Sequence, residues 1–278
     1  MTIPSVYVDL HAHSTASDGA LPSAQVIRHA HEIGLSAIAL TDHDTVDGLP
    51  DAFEAGAQLG IRVVPGCELS AHDGDEEIHL LVLHIADLVA IRPSLATFRE
   101  QRIERAREMV QRLNTRHVPI TFDDVLRVAN GGAVGRPHVA RVLVDGGHVA
   151  DLREAFDRYL AFGRPGYVPK PRLSIEDAIA IGHRAGALTV WAHPGRDGTR
   201  ARVQRLTTLG LDGVEVLHPS HTPADVTRLT QIVGELGLVP SGGSDWHGAM
   251  EGYRILGNMH VPAAWLALQD ARLAARAA

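Results

Sequence analysis

The sequence predicts an α/β fold, in which seven short strands alternate with helices around a barrel and a helical insertion interrupts the series. Short apolar, β-branched runs separated by helical patterns predict the strands. Nearly every run ends in a histidine or a carboxylate. Between residues 93 and 167 the strand pattern disappears and helical patterns replace it. Because active-site groups of α/β barrels lie at the carboxyl ends of the strands, we expect a functional site at that end.

The predicted elements follow one another with clear boundaries. Helices are expected at about 23–33, ending near Gly34, and at about 52–59, ending at Gly60. The seven predicted strands cover residues 7–10, 36–40, 62–64, 78–85, 188–192, 213–217 and 238–241. This alternation predicts a mainly parallel sheet or barrel.

The helical stretch predicts a separate subdomain. Its helical patterns cover residues 95–113, 122–128, 137–144 and 152–160, with glycine pairs between several of them. We expect residues 1–92 and 168–278 to form a metal-binding barrel. Residues 93–167 are expected to form an inserted helical subdomain that caps the barrel mouth and selects the substrate.

Composition excludes several classes of protein. The 278 residues are 45% hydrophobic, which is ample for a core, and their net charge of −7 argues against binding of long duplex nucleic acid. No apolar run approaches the ~18 residues of a membrane span, and no signal peptide is expected. The single cysteine, Cys67, excludes an internal disulfide. These features predict a cytoplasmic protein without a membrane partner.

Four clusters at strand ends predict a multinuclear metal site. Neutral imidazole and ionised carboxylate are the ligands that borderline divalent metals prefer. His11 and His13 alternate at a strand end, so both face one side. The other clusters contain Asp42 and His43, His193, and Asp245 with His247; Glu68 follows the short third run. Together these residues indicate a metallohydrolase.

The residues alone leave two positions open. His79 and His84 are five residues apart on one predicted strand, so only one of them faces the interior. Asp18, in Ser17-Asp18-Gly19, suits either a turn or a metal ligand.

Five ordered motifs resemble the PHP (polymerase and histidinol phosphatase) family. They are Asp-Leu-His-Ala-His-Ser at 9–14, Thr-Asp-His-Asp at 41–44, Gly-Cys-Glu at 66–68, Ala-His-Pro-Gly-Arg at 192–196 and Ser-Asp-Trp-His at 244–247. The resemblance implies a distorted, TIM-like (β/α)7 barrel with two or three divalent metals (Mn, Fe or Zn, or Mg) that hydrolyses phosphate esters. Gly-Arg-Pro-His at 135–138 and Gly-Arg-Pro-Gly-Tyr-Val at 163–168 are similar to the nucleoside 3′,5′-bisphosphate phosphatases, some of which trim short RNA from the 5′ end.

The resemblance also implies residue roles. The first metal would be held by His11, His13, Glu68 and Asp245; Glu68 would bridge to a second metal held by His79 and His193; the third would be held by Asp18, His43 and His247. Asp42 would orient an imidazole. Contacts to substrate phosphate would come from Arg102, Arg136, His138, Arg196 and His221. Of these, Arg196 and His221 would take part in catalysis, and His221 would protonate the leaving group or bind phosphate.

The implied reaction is hydrolysis of nucleotide phosphate monoesters by a metal-activated hydroxide. The expected substrate is the 3′-phosphate of a nucleoside 3′,5′-bisphosphate, or short 5′-phosphorylated RNA. Histidinol phosphate or another small phosphomonoester is the alternative substrate, and a non-catalytic, partner-binding PHP domain is the alternative class. Amidohydrolase-type barrels often bridge their metals with a carboxylated lysine. The only lysine, Lys170, lies between prolines away from any predicted strand end, which disfavours that class.

Overall fold

The computed structural model describes residues 6–169 and 172–277. Lys170 lies outside the described residues. Strands occupy the positions that the apolar runs predict, with one short strand added near the carboxyl end. They are β1 Tyr7–Ala12, β2 Ala37–Leu40, β3 Arg62–Asp73, β4 Glu76–Leu83, β5 Leu188–Trp191, β6 Gly213–Leu217, β7 Val239–Gly242 and β8 Val261–Pro262.

Helices connect the strands and build the insertion. They are α1 Ser23–Glu32, α2 Leu49–Leu59, α3 Leu88–Asn114, α4 Phe122–Ala129, α5 Arg136–Asp145, α6 Leu152–Ala155, α7 Ile175–Arg184, α8 Arg200–Thr208, α9 Pro223–Leu236 and α10 Ala263–Ala277. A π-helical turn, Phe156–Leu160, follows α6, and a 3₁₀ turn covers Gly195–Asp197. Within the described ranges no helix is both long and apolar enough to span a membrane.

The strands form one sheet that nearly closes into a barrel. Their order is β7-β6-β5-β4-β3-β2-β1-β8. The segment after β7 returns to β1: the Asp245 amide donates to the His11 carbonyl, and the His13 amide donates to the Trp246 carbonyl, both at 2.9 Å. The predicted α/β barrel with a helical insertion is therefore confirmed.

The third predicted strand was wrong in its end, and although it pairs parallel with β2, its other edge departs from the predicted parallel arrangement. It continues from Arg62 to Asp73 and pairs antiparallel with β4, which in turn pairs antiparallel with β5. Only two residues separate β3 from β4, and Gly74 there has a φ of 65°. Because so short a connection can join only antiparallel strands, the chain forms a hairpin. Glu68 thus lies within a strand, opposite Leu81, and does not follow one.

The insertion has a hydrophobic core of its own. The first part of α3 packs in the barrel core through Ile91 and Leu95. The rest of α3 joins α4, α5, the π-helical turn and Val168 in a second cluster, which includes Met109, Leu113, Val125, Val139, Leu143 and Leu160. Helix α3 therefore contributes to the core of the barrel and to the core of the insertion. It begins at Leu88, before the predicted boundary. The division at residues 93 and 167 stays a prediction.

Candidate metal centre

Glu68 lies at the centre of a cluster of histidines. Its side chain is 1% exposed. Its two oxygens lie 2.8–3.3 Å from ring nitrogens of five histidines: His11, His13, His43, His79 and His193. A carboxylate offers about four lone-pair sites, so five imidazoles exceed what hydrogen bonding can satisfy. This excess of ligand atoms is typical of a site built around cations.

The first group of possible ligands combines strand β1 with the segment after β7. Nε2 of His11 lies 3.1 Å from Nε2 of His13, and one Asp245 oxygen lies 3.3–3.4 Å from both. Asp245 has a φ of 50°, and a Cβ at Gly243 would meet the His11 Cβ at 2.4 Å. The glycine is thus required for the close approach that brings Asp245 beside β1. Together with Glu68, these residues form the group that the resemblance implies for the first metal.

The second group lies on the other oxygen of Glu68. Oε1 lies 2.8 Å from Nδ1 of His79 and 3.1 Å from Nε2 of His193. His193 has a φ of 34°, an uncommon backbone conformation that is frequent at functional sites. His43 also converges with Glu68 and His79. The choice between His79 and His84 is clear in the geometry, because the His84 ring bonds to Gln269 at 3.0 Å, away from the cluster.

Asp18 completes a third group. It lies in the turn after β1, and its carboxylate is 3.2 Å from Nε2 of His247 and 3.9 Å from Nε2 of His43. His13, Asp18, His43 and His247 have ligand atoms close enough to share one ion. The structure therefore brings together all of the predicted ligands, although His13 and His43 each contact two groups.

The chemistry of these residues fits divalent cations. Nδ1 of His13 and Nδ1 of His43 are buried and have no hydrogen-bond partner among the described residues. Burial disfavours protonation of His13, but Asp245 and Glu68 raise its pKa to about 10, whereas burial lowers the pKa of His43 to about 3. The carboxylates thus favour positive charge in the cluster. The imidazoles cannot supply all of it, because they cannot all be protonated. Bound cations would supply that charge.

Sequence analysis missed several residues that support the cluster. Glu215, in the middle of β6, lies 3.0 Å from Nδ1 of His11. Nε2 of His218 lies 3.4 Å from Asp245, which Arg254 also contacts. A carboxylate between valines in an apolar strand, as at 214–216, is a signal that could have found Glu215.

Asp42 does not orient an imidazole, contrary to the sequence-based expectation. Its carboxylate accepts hydrogen bonds from the amide and hydroxyl of Ser14 and from the hydroxyl of Ser17, each at 2.7 Å. These bonds fix the loop between His13 and Asp18. Asp42 therefore positions His13 and Asp18 indirectly, through the loop that connects them.

Two of the residues expected to contact the substrate phosphate already form hydrogen bonds with other residues of the protein. Arg102 is buried, and its Nε donates to Asp44 at 2.7 Å. His221 donates from Nδ1 to the Val216 carbonyl at 2.9 Å and accepts at Nε2 from the Gly195 amide at 3.1 Å. With both ring nitrogens bonded to backbone, His221 has no N–H left to protonate a leaving group. Its expected role as an acid is not supported.

Of the three remaining expected residues, Arg196 and His138 differ in environment. The Arg196 side chain is 93% exposed and lies 3.9 Å from Asp197. His138 is buried, and its Nδ1 accepts from the Gly135 amide at 3.0 Å at the start of α5. His138 thus fixes the turn that places Arg136.

A cleft opens beside the second ligand group. Its volume is about 540 Å³, within the range of small-molecule sites, and its lining includes His79, His193 and Arg136. Arg136 lies 5.8 Å from the ring of Phe156 in the insertion. Burial and the neighbouring charge of Arg136 lower the pKa of Arg105 to about 10. Arg136 thus brings one positive charge of the insertion to this cleft, whose lining also includes Arg202 and the carboxylates of Glu76, Glu77 and Asp197.

A nearly closed α/β barrel with a His/Asp/Glu cluster at one end is typical of a metal-dependent hydrolase. The PHP domain profile matches residues 9–167, more than half of the chain. The chain therefore belongs to the PHP family and is a metal-dependent phosphoric ester hydrolase.

Three similar proteins agree with this assignment. A 3′,5′-nucleoside bisphosphate phosphatase of Chromobacterium violaceum is 39% identical over 258 residues, 90% of each chain. The 5′-3′ exoribonuclease Rnm of Salmonella typhimurium is 38% identical over 252 residues, 87% of this chain and 86% of the relative. A crystal structure described as a metal-dependent phosphoesterase from Bifidobacterium adolescentis has a TM-score of 0.88 and 31% identity, covering 97% of each chain.

Proposed function

We propose that this protein hydrolyses the 3′-phosphate of nucleoside 3′,5′-bisphosphates and also accepts short 5′-phosphorylated RNA. The observation that carries the proposal is the position of Arg136 in the cleft beside His79 and His193. A guanidinium binds phosphate in a bidentate manner and keeps its charge at all physiological pH values. A substrate with a second phosphate would pair with this charge, whereas histidinol phosphate has no second anion to offer.

The charges around Arg136 support the proposal. Arg202 lines the same cleft, but it is paired with Asp73 at 2.8 Å and Glu76 at 2.7 Å. Arg136 instead lies near the aromatic ring of Phe156 and the guanidinium of Arg105. Repulsion between two cations is relieved when an anion binds between or beside them. Arg136 is thus the cleft arginine best suited to a phosphate.

The ligand groups would divide the metals as the resemblance implies. His11, His13, Glu68 and Asp245 would hold one ion; Glu68, His79 and His193 a second; Asp18, His43 and His247 a third. Bound Mn, Fe or Zn ions would supply an activated water and neutralise charge on the phosphoryl oxygens. Arg136 would bind the phosphate that is not cleaved. The walls of the cleft would orient the phosphoryl group toward Glu68.

The test is release of phosphate with added Mn²⁺. Adenosine 3′,5′-bisphosphate, AMP, histidinol phosphate and a 5′-phosphorylated RNA dinucleotide are compared at equal concentration. RNA cleavage is followed by chromatography. Glu68→Gln, purified identically, is the control for contaminating phosphatases. We expect the highest kcat/KM for the bisphosphate, with turnover of the dinucleotide.

Two other results would contradict the proposal in different ways. Preferential turnover of histidinol phosphate would place the protein among the small phosphomonoester phosphatases of the family. Absence of all turnover by a fully metallated, folded protein would favour the non-catalytic, partner-binding alternative.

A further inference from the structure

Glu215 connects two of the predicted metal-binding histidines. It lies in β6, its side chain is fully buried, and its two oxygens have different partners. Oε1 lies 3.0 Å from Nδ1 of His11, and Oε2 accepts from the backbone amide of His193 at 2.6 Å. His11 belongs to the first ligand group and His193 lies on the other oxygen of Glu68. One carboxylate therefore contacts residues on both sides of Glu68.

The chemistry of the two partners determines what must stand at position 215. The His193 amide can only donate a hydrogen bond. A neutral imidazole that offers the Nε2 lone pair to a cation must carry its proton on Nδ1, so the His11 Nδ1 must donate as well. Because the two donors face different oxygens, both oxygens must accept, which a carboxylate provides.

We infer that Glu215 is a positioning residue for the metal centre, which sets the tautomer of His11 and the backbone position of His193. The inference rests on the proposed ligand groups but not on the proposed substrate. Many metal-bound histidines donate their remaining ring N–H to a carboxylate. Mutation of that carboxylate typically lowers metal affinity about 10- to 100-fold. Glu215 would act on one histidine through its ring and on the other through its amide.

The replacement by glutamine makes the inference testable, because glutamine has the same shape but only one acceptor oxygen. If that oxygen accepts from the His193 amide, the side-chain NH₂ faces Nδ1 of His11. The ring then accepts at Nδ1 and carries its proton on Nε2, which points at Glu68 and His13. In that tautomer His11 has no lone pair for a metal. Aspartate, although shorter, keeps both acceptor oxygens.

The experiment measures metal binding in the absence of substrate. Chelator-treated wild type, Glu215→Gln and Glu215→Asp are titrated with Mn²⁺ by calorimetry, and circular dichroism verifies that each is folded. We expect Glu215→Gln to lose about 10- to 100-fold in affinity. Glu215→Asp should bind more tightly than Glu215→Gln. A role in packing alone predicts the reverse order, because glutamine preserves the volume of the side chain.

Asp212→Asn is the matched control. Asp212 is a buried carboxylate that accepts from the Thr189 amide at 2.9 Å and contacts His183 at 3.0 Å, outside the metal cluster. Its replacement should leave Mn²⁺ affinity unchanged. Wild-type affinity in folded Glu215→Gln, or tighter binding by Glu215→Gln than by Glu215→Asp, would overturn the inference. Neither result depends on which phosphate ester the protein hydrolyses, so a failure of the proposed substrate remains distinguishable.

Discussion

At the scale of single residues, Arg136 would determine the preference of the proposed reaction for a substrate with two phosphates. We predict that Arg136→Ala lowers kcat/KM for adenosine 3′,5′-bisphosphate by about 10- to 100-fold, since a hydrogen bond to a charged group contributes about 1.5–3 kcal/mol. The effect on AMP should be smaller, because AMP lacks the second phosphate. Steady-state kinetics of both substrates measures the difference.

Arg153→Ala is the control for this prediction. Arg153 also lies in the insertion, but its side chain is 90% exposed and pairs with Asp157 across one helical turn. Its replacement should leave both substrates unaffected. An equal loss for AMP and the bisphosphate in Arg136→Ala would assign Arg136 to the cleaved phosphate or to folding.

The sequence predicts the histidines of the site better than the residues that support them. His11, His43 and His193 stand at or near the ends of apolar runs, so the hydrophobic pattern identifies them. Glu215 lies inside such a run, and its partners come from β1 and from the loop after β5. The family resemblance assigned Arg102 to phosphate, and its partner in the structure, Asp44, lies in another part of the chain. Contacts of this kind depend on tertiary structure and leave no periodic signal.

At the scale of elements, helix α3 is joined to the barrel by a buried ion pair. Arg102 of α3 contacts Asp44, which also accepts from the Ser70 amide of β3 at 3.0 Å. Removing one member of a buried ion pair is strongly destabilising, by about 3–5 kcal/mol. We therefore predict that Arg102→Met lowers the free energy of unfolding by this amount, measured with urea in the presence of a chelator.

Two further variants test this explanation. Asp44→Asn combined with Arg102→Met should recover much of the loss, because the asparagine oxygen can still accept from Ser70. Arg112→Met, on the same helix, breaks an exposed pair with Glu108 and should cost no more than about 1 kcal/mol. Equal losses for Arg102→Met and Arg112→Met would show that the buried pair does not hold α3.

His84, which follows β4, makes its contact with Gln269 of α10 sensitive to pH. Burial lowers the pKa of His84, although its bond to Gln269 and the nearby Asp270 oppose the shift. The unfolded chain therefore binds a proton more readily than the folded protein, and stability falls as pH drops below about 6.5. We predict that His84→Asn reduces this loss between pH 7 and pH 5. Urea unfolding of both proteins at several pH values, with chelator throughout, measures it; parallel pH dependence would contradict the prediction.

The hairpin of β3 and β4 shows where element prediction fails. The sequence contains its signal, because Gly74-Asp75 lies between two strand-forming runs, as in many hairpins. The repeated alternation of strand and helix elsewhere favoured a parallel interpretation, which ended the strand at residue 64. The insertion helices were predicted closely, since their apolar spacing and glycine ends are local features.

At the scale of the whole molecule, the proposed metal centre would join distant parts of the barrel. Its ligand groups come from β1, β3, β4 and the segments after β2, β5 and β7. Cations bound to these groups would connect strands around most of the barrel. Ligands that bind only the folded state stabilise it, by about 2.7 kcal/mol at a concentration 100 times the Kd.

We therefore predict that Mn²⁺ at 100 times its Kd raises the free energy of unfolding by about 2.7 kcal/mol over the chelated protein. Thermal unfolding should shift upward by several degrees, as such a change does in chains of this size. Glu68→Gln should lose most of the shift, because Glu68 contacts at least one histidine of every ligand group. Asp225→Asn, on the surface helix α9, should retain it. An equal Mn²⁺ effect on wild type and Glu68→Gln would mean that the stabilising ion binds elsewhere in the protein.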